Sequence, residues 1–462
     1  MTTFDDPALA SSERSGGQSV RDHLGRDPIA PPESLWASTP RSFGIDDLST
    51  DRYLSPEWHR REMEHMWPKV WQVACHEQEI AEVGDHFVYT VGTVSFLVAR
   101  SASDEIKAYY NACLHRGTRL KTCAGNSEQI RCPFHGWTWR LDGALTHIPA
   151  SWDFPQVKLE EFGLIEVRVD CWGGFVFVCP DSTALSLREW LDPLPEFFAR
   201  VRYEDRQVVA HVRRVLPCNW KVAQEAFIET YHVSTTHPQN AMNLNDFDSQ
   251  YDVLSDNVSR MITLVGVPGP SVDYDIEEQE ILDSLADSGI VGADGEPLQL
   301  GDSPSARETL TEVTKTVWTH NSGLNADELA AYDLVDAVEY SVFPNFSPWA
   351  GLGVPFAYTF VPYGDDPDQS VWDIWVLWPK AEGTPLSPAP PVKELLGEEQ
   401  YVSVPELSWI GHLFDQDLAN MRRIQDGLKT LPKGVTFSAY QESRIRHHHE
   451  RLEGYLVAGE KG

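Results

Sequence analysis

Residues 111–139 read NACLHRGTRLKTCAGNSEQIRCPFHGWTW and hold two tight pairs of metal-seeking side chains. Cys113 and His115 stand two apart, and after sixteen intervening residues Cys132 and His135 stand three apart. Gly117, Pro133 and Gly136 beside the pairs predict tight loops. Short runs rich in β-branched and aromatic residues surround the stretch: HFVYTVG, VSFLVAR, IEVRVD and GGFVFV, separated by Gly, Asp and Asn. That pattern predicts a compact antiparallel β domain over residues 70–180, with each ligand pair at the tip of a loop between strands.

The order of the ligands sorts the candidate metals. A structural zinc site commonly groups two cysteines and then two histidines. Here each loop gives one thiolate and one imidazole, which suits a Rieske 2Fe–2S centre in which one iron takes both thiolates and the other both imidazoles. Cys123 has no ligand spacing, and Cys75, Cys171, Cys179 and Cys218 read as ordinary buried thiols. Seven cysteines in 462 residues are too few and too odd in number for a disulfide framework.

Beyond Pro180 the texture changes to mixed helix and strand. Helical periodicity runs over residues 187–201, 219–237, 276–286 and 413–430. SRMITLVGV, PFAYTFVPY and SVWDIWVLWPK read as strands, the last two joined as a hairpin through GDDPDQ. The order predicts an α+β fold, with helices on an antiparallel sheet, over residues 181–462. Before the β domain, residues 1–35 read as a flexible arm. Residues 36–69 read as a helical lead-in packing on the second domain, with Ser55 as N-cap, Pro56 at the first helical position and Pro68 past the end. The acidic stretch 273–308 reads as a surface insertion.

Within the second domain, NWKVAQEAFIETYHVSTTHPQ begins with Asn219 as a credible N-cap. At about 100° per residue, Glu225, Glu229 and His232 share a stripe with Val222, Ala226 and Val233. Carboxylates and a histidine on an apolar face need a partner, and a metal supplies one. His232 and His237 are two candidate ligands of a mononuclear iron held by two histidines and one carboxylate. Glu225 and Glu229 are local choices for the carboxylate. Asp417 is a better one, because Asp417, Met421, Ile424 and Leu428 form an apolar stripe on a later helix. His447, His448 and His449, with Arg444 and Arg446 beside them, read as a solvated helix face.

Taken together, Cys113-Leu-His115, Cys132-Pro-Phe-His135-Gly-Trp137, Asn219-Trp220-Lys221, Glu229-Thr-Tyr-His232 with His237, and Asp417 with Gln425 and Gly427 resemble one family. Over residues 50–450 the chain resembles the catalytic α subunit of Rieske non-haem iron ring-hydroxylating oxygenases. The resemblance implies that Cys113, His115, Cys132 and His135 hold the 2Fe–2S cluster and that His232, His237 and Asp417 hold Fe(II). Glu229 then matches the carboxylate that bridges a cluster histidine of one subunit to an iron histidine of its neighbour. That role implies a homo-oligomer, usually a trimer, with or without a β subunit. Two positions depart from the commoner pattern: Ala226 stands where many members have Asn, and Glu229 is more frequent among monooxygenase and demethylase relatives than among ring dioxygenases.

The activity implied is that of a terminal oxygenase component. Electrons from NADH arrive through a separate reductase, with or without a ferredoxin, and O2 is used to hydroxylate or cis-dihydroxylate an aromatic or other hydrophobic ring compound. Alternatives are monooxygenation or O- or N-demethylation and, from another class, a Rieske electron carrier or a zinc-stabilised binding module. Composition agrees with an enzyme: 42% hydrophobic and 11% aromatic residues exclude a mostly disordered chain. The formal charge of −33 repels phosphate backbones and excludes a nucleic-acid binder. No stretch is apolar for long enough to span a membrane, and the acidic, polar start lacks a signal-peptide pattern, which predicts the cytoplasm. Against the acidic background Arg116, Arg119, Lys121 and Arg131 gather near the cluster loops and predict a basic docking patch.

Overall fold

Between Gln72 and Cys179 the β-rich runs pair into one antiparallel sheet. Its order is Gln72–His76, Phe175–Cys179, Glu166–Trp172, Glu105–Tyr110, Val94–Ala102, Asp85–Val91 and Gly125–Asn126. A second, three-stranded sheet joins Ile130–Arg131, Thr138–Trp139 and Leu145–His147. The computed structural model describes residues 19–272, 275–287, 289–292 and 295–461.

A larger sheet carries the second half of the chain. Its order is Gln250–Val253, Val258–Thr263, Ala337–Val342, Phe346–Pro348, Phe356–Pro362, Ser370–Pro379, Arg206–Leu216 and Lys393–Leu395, antiparallel except for the last pair. The GDDPDQ hairpin is formed, with Pro362 opposite Ser370. Helices Trp220–Glu225 and Gly411–Leu428 lie against each other, and the first also packs on this sheet. Mixed helix and antiparallel sheet is therefore the observed class. The main apolar core runs through both halves, and Phe175 of the first sheet touches Phe346 and Trp375 of the second at ring separations of 5.0 and 5.4 Å. A satellite core of Leu97, Tyr109, Leu120, Trp137 and Trp139 sits under the ligand loops. Among the described residues no helix is long and apolar enough to cross a membrane.

The lead-in forms helix Pro56–His65, and the Ser55 hydroxyl accepts from Trp58 N at 3.3 Å. Its buried Glu62 accepts from Trp220 Nε1 and pairs with Lys221 Nζ at 2.6 Å, which fastens the lead-in to the second domain.

Four expectations need correction. Residues 1–18 of the expected flexible arm lie outside the described residues, but residues 19–35 are docked rather than free. Val20, Leu24 and Leu35 are buried, and Asp27 pairs with Arg307 at 2.8 Å. The acidic stretch is no mere surface insertion, because helix Glu278–Asp287 buries Ile281, Leu282 and Leu285 while its charged side faces outward. Residues 273, 274, 288, 293 and 294 of that stretch lie outside the description.

The continuous helix over residues 219–237 is two short ones, Trp220–Glu225 and Val233–Thr236. Thr230 breaks it. Its hydroxyl lies 2.8 Å from both Ser249 Oγ and Tyr251 Oη, and its backbone N–H donates to Tyr251 Oη, so side-chain bonds replace the helical ladder there. Finally, His447, His448 and His449 do not form a solvated face. All three are buried on helix Ser443–Lys461, as are Arg444, which pairs with Glu339, and Arg446, which donates to backbone carbonyls.

Candidate metal centres

The two ligand loops are built alike. In the first, Gly117 N donates to Cys113 O and Cys113 N to Thr118 O; in the second, Gly136 N donates to Cys132 O and Cys132 N to Trp137 O. Gly117 and Gly136 both sit at φ +75°, in the left-handed region that favours glycine. The cysteines are buried beneath and the histidines face outward, with His115 Nδ1 3.2 Å from His135 Nδ1. His115 stacks flat on Trp137 at 5.3 Å. Burial raises both thiols. At Cys132 backbone N–H groups of Phe134 and His135 outweigh that and lower it, whereas Cys113 stays raised. Two sulfurs below and two Nδ1 atoms above form a donor set that fits a two-iron cluster.

The second cluster of donors is His232, His237 and Asp417, whose ligand atoms lie within 4.8 Å of one another. Asp417 Oδ1 is 3.0 Å from His237 Nε2 and 3.7 Å from His232 Nε2. The far ring nitrogens are held from behind: His232 Nδ1 lies 2.7 Å from Glu229 Oε1, and His237 Nδ1 lies 2.8 Å from Gln416 Oε1. With each Nδ1 engaged, each Nε2 is turned toward the carboxylate, the arrangement by which outer partners orient metal-binding imidazoles. Burial works against charge on His232. The Glu229 carboxylate with its hydrogen bond, and then Asp417, prevail and hold the ring up at about 9. A ring forced toward protonation by surrounding carboxylates is one that a cation can replace the proton on, so the residues fit a divalent metal.

Elements distant in sequence place the triad. Asp417 lies on helix Gly411–Leu428, whose buried row is Phe414, Asp417, Met421, Gln425 and Leu428. Ile424, expected on that stripe, is 48% exposed. Gln425 Oε1 accepts from Asn219 N, beside the N-cap of helix Trp220–Glu225, and Asn420 Nδ2 donates to Thr236 Oγ1. These bonds fix the helix carrying Asp417 against the segment carrying the histidines. Asp415 turns away and accepts from the backbone of Tyr401.

The triad opens on an apolar cavity of about 180 Å³. Phe227, Trp349, Tyr358, Trp409 and Phe414 supply aromatic walls, and Asn240 and Asn243 are the amides at its edge. Phe227 and Val233 line it and Ile228 does not. From residues 343–349, which read FPNFSPW, Trp349 lines the cavity, whereas Asn345 is buried and donates to Phe360 O.

With this geometry in view, two family matches divide the chain. Residues 70–160 match the Rieske [2Fe-2S] domain, and residues 198–458, more than half of the chain, match the Ring hydroxylating alpha subunit (catalytic domain). The chain belongs to the ring-hydroxylating alpha-subunit family.

Curated relatives of this alpha subunit include the chloroplastic choline monooxygenase of Beta vulgaris, 31% identical over 230 residues, or 48% of this chain and 49% of the relative. Another is the anthranilate 1,2-dioxygenase large subunit of Acinetobacter baylyi, 33% identical over 206 residues, or 42% and 43%. The chain thus spans about half the length of the curated relatives it matches. Among solved structures, a quaternary ammonium Rieske monooxygenase superposes with a TM-score of 0.62 at 17% identity, covering 89% of this chain and 96% of that one, which shows a shared fold.

Two groups at the alpha subunit's centre escaped the sequence reading. Gln416, behind His237, is adjacent to Asp417 and carries no motif of its own. His449 reaches Glu225 Oε1 with its Nε2 at 2.8 Å. Of the expected basic patch, Arg116, Arg119 and Arg131 are exposed beside the cluster loops, while Lys121 is half-buried and donates to Ser127.

Proposed function

We propose that this alpha subunit is the terminal component of an oxygenase that hydroxylates or cis-dihydroxylates an uncharged, apolar ring compound. The observation that carries the reading is the apolar, aromatic-walled cavity opening directly on two imidazoles and a carboxylate whose donor atoms lie within 4.8 Å. His232, His237 and Asp417 are the residues that would hold Fe(II), and Cys113, His115, Cys132 and His135 those that would hold the 2Fe–2S cluster. An iron so held supplies the O2 chemistry, and the cluster supplies electrons derived from NADH through a separate reductase or ferredoxin. Glu229 and Gln416 hold the two imidazoles at one angle, and the aromatic walls bind the ring and exclude water.

Glu229 also serves as the link from His232 to a cluster histidine of a second copy. This makes a homotrimer the working assembly, with or without a β subunit, and the cytoplasm its place. The exposed arginines near the cluster loops form the face for the electron donor.

A second reading is monooxygenation of a quaternary ammonium compound. Trp349, Tyr358 and Trp409 on the cavity wall offer the ring faces that attract such a cation, and choline and carnitine monooxygenases are among the relatives. Among the described residues the lining outside the triad and Glu229 carries no acidic side chain, which favours the uncharged substrate.

The test is metal counting followed by product analysis. About three irons per chain, with a Rieske-type paramagnetic signal on reduction, is the expected result; two irons, or zinc alone, refutes the oxygenase. Labelled O2 with a reductase and a panel of aromatic and quaternary ammonium compounds then separates the two readings.

A further inference from the structure

A second cavity, of about 500 Å³, meets the apolar one at the triad: Ala226, Glu229, His232 and Asp417 line both. Its remaining wall mixes apolar side chains such as Val222, Met421 and Phe437 with Tyr53, Arg423 and two more carboxyl groups, Glu225 and Glu442.

At that wall three side chains from three helices close a triangle. Tyr53 Oη, from helix Asp51–Leu54, lies 2.9 Å from Glu225 Oε1 and 2.9 Å from His449 Nε2, and His449 Nε2 lies 2.8 Å from the same Glu225 oxygen. Tyr53 and His449 are each 1% exposed. The nearby cations are engaged elsewhere, Lys221 with Glu62 at 2.6 Å and Arg52 with Glu453 at 2.7 Å. Among the described residues no lysine or arginine bonds to Glu225.

The charges around Glu225 all bear on its proton. Burial is the largest influence and raises its carboxyl, which Glu229 raises further. The Tyr53 hydrogen bond, Lys221 and Arg52 oppose this, and the result is about 8. His449 is driven well below its ordinary value by burial, Arg52 and Lys221, so its ring is neutral. Glu442, across the cavity, is raised by burial to about 7. A protonated Oε1 donating to His449 Nε2 while accepting from Tyr53 satisfies both contacts that Glu225 makes.

We propose that Glu225 is a proton store for the mononuclear centre, delivering through the second cavity, with Tyr53 and His449 as its positioning residues. The proposal rests on the oxygenase reading: O2, two electrons from the redox partner and two protons are what hydroxylation consumes. In the step the Glu225 O–H bond breaks, its electron pair stays on Oε1, and the proton passes by way of cavity water to the oxygen being reduced. No electron leaves the protein in this transfer. Solvent entering the cavity returns the proton to the carboxylate.

The decisive experiment is infrared spectroscopy of the holoenzyme across a pH series, read beside steady-state turnover. The expected result is a protonated-carboxyl band at neutral pH that titrates with a midpoint near 8 and is missing from E225Q. E225Q should keep its iron and cluster content yet form product about a hundredfold more slowly, the scale of a lost proton donor. Y53F keeps the carboxyl and loses a bond that favours its ionised form, so the midpoint should move upward. That variant carries the test if E225Q fails to fold. Absence of the band from the wild type at neutral pH overturns the proposal, as does wild-type turnover by E225Q. A wild type that shows the band but forms no oxygenated product with any donor refutes the oxygenase reading and the delivery step, while leaving the protonated carboxyl standing.

Discussion

His211 sits on strand Arg206–Leu216 with no exposed side-chain surface, clamped between carboxylates from both halves of the molecule. Its Nδ1 lies 2.6 Å from Glu79 Oε1, in the segment that follows the first strand of the Rieske domain, and its Nε2 lies 2.8 Å from Asp373 Oδ1 on the large sheet. Burial alone would strip the ring of its proton. The two carboxylates overcome that and raise it to about 9, while Asp373, despite its own burial, is held down at about 2 by Arg213 and His211. The folded state therefore binds the imidazole proton more tightly than the unfolded chain, whose value is 6.5.

The stability this contributes is fully present below about pH 6.5 and is lost as pH rises through about 9. At about 1.36 kcal/mol for each tenfold change in proton affinity, it amounts to about 3 kcal/mol. His211→Gln should lower unfolding stability by about that much in mildly acidic buffer, because two carboxylates then share a dry site without a cation. Urea unfolding of both proteins, from about pH 6 to about pH 10, measures the effect. The raised carboxyls of Glu225 and Glu442 also lose stabilising protonation as pH climbs, but they are common to both proteins and cancel in the difference. Trp375, whose ring centroid is 4.3 Å from that of His211, is a local fluorescence reporter. A wild-type advantage that stays constant across the whole range would refute the buried imidazolium.

Three further outcomes are expected. Asp417→Ala should deplete the mononuclear iron and leave the cluster signal intact; unchanged iron content would shift the third ligand to another carboxylate. Glu229→Gln should keep both metal signals, because Gln retains a carbonyl for His232 Nδ1, yet nearly abolish coupled turnover; normal activity would remove Glu229 from the electron route. Arg307→Ala leaves Asp336 fully buried without its guanidinium and releases Asp27, so a loss of about 3–5 kcal/mol in unfolding free energy is expected. A change below about 1 kcal/mol would show that the docked segment around Asp27 adds nothing to the fold.

What could be read from the sequence follows from how local each signal is. Cys113 with His115, and Cys132 with His135, are short-range pairs whose glycines announce the loop shape, so the cluster loops are legible without the fold. His232 and His237 are five residues apart. Asp417 was reachable only through the periodicity of its own helix, and part of that stripe, Ile424, was misplaced. Groups whose partners lie far along the chain were not legible. His211 belongs to no motif, and its carboxylates are 132 and 162 residues away. His447–His449 looked solvated because Arg444 and Arg446 flank them. Arg444, however, is neutralised by Glu339 from the large sheet, a pairing no linear pattern encodes. In the acidic stretch the abundance of charge outweighed Ile281, Leu282 and Leu285, whose spacing marks a buried helical edge.

The shared wall of Ala226, Glu229, His232 and Asp417 gives the centre two separate approaches, one walled by aromatic rings and one carrying the carboxyl groups of Glu225 and Glu442. A substrate seated among Trp349, Trp409 and Phe414 would leave the other approach open to small polar molecules. Polar molecules lodged near Glu225 and Glu442 would then slow the enzyme without displacing its substrate, a noncompetitive pattern of inhibition. Crowding the apolar side would be competitive, so the two faces of one metal site are kinetically distinguishable.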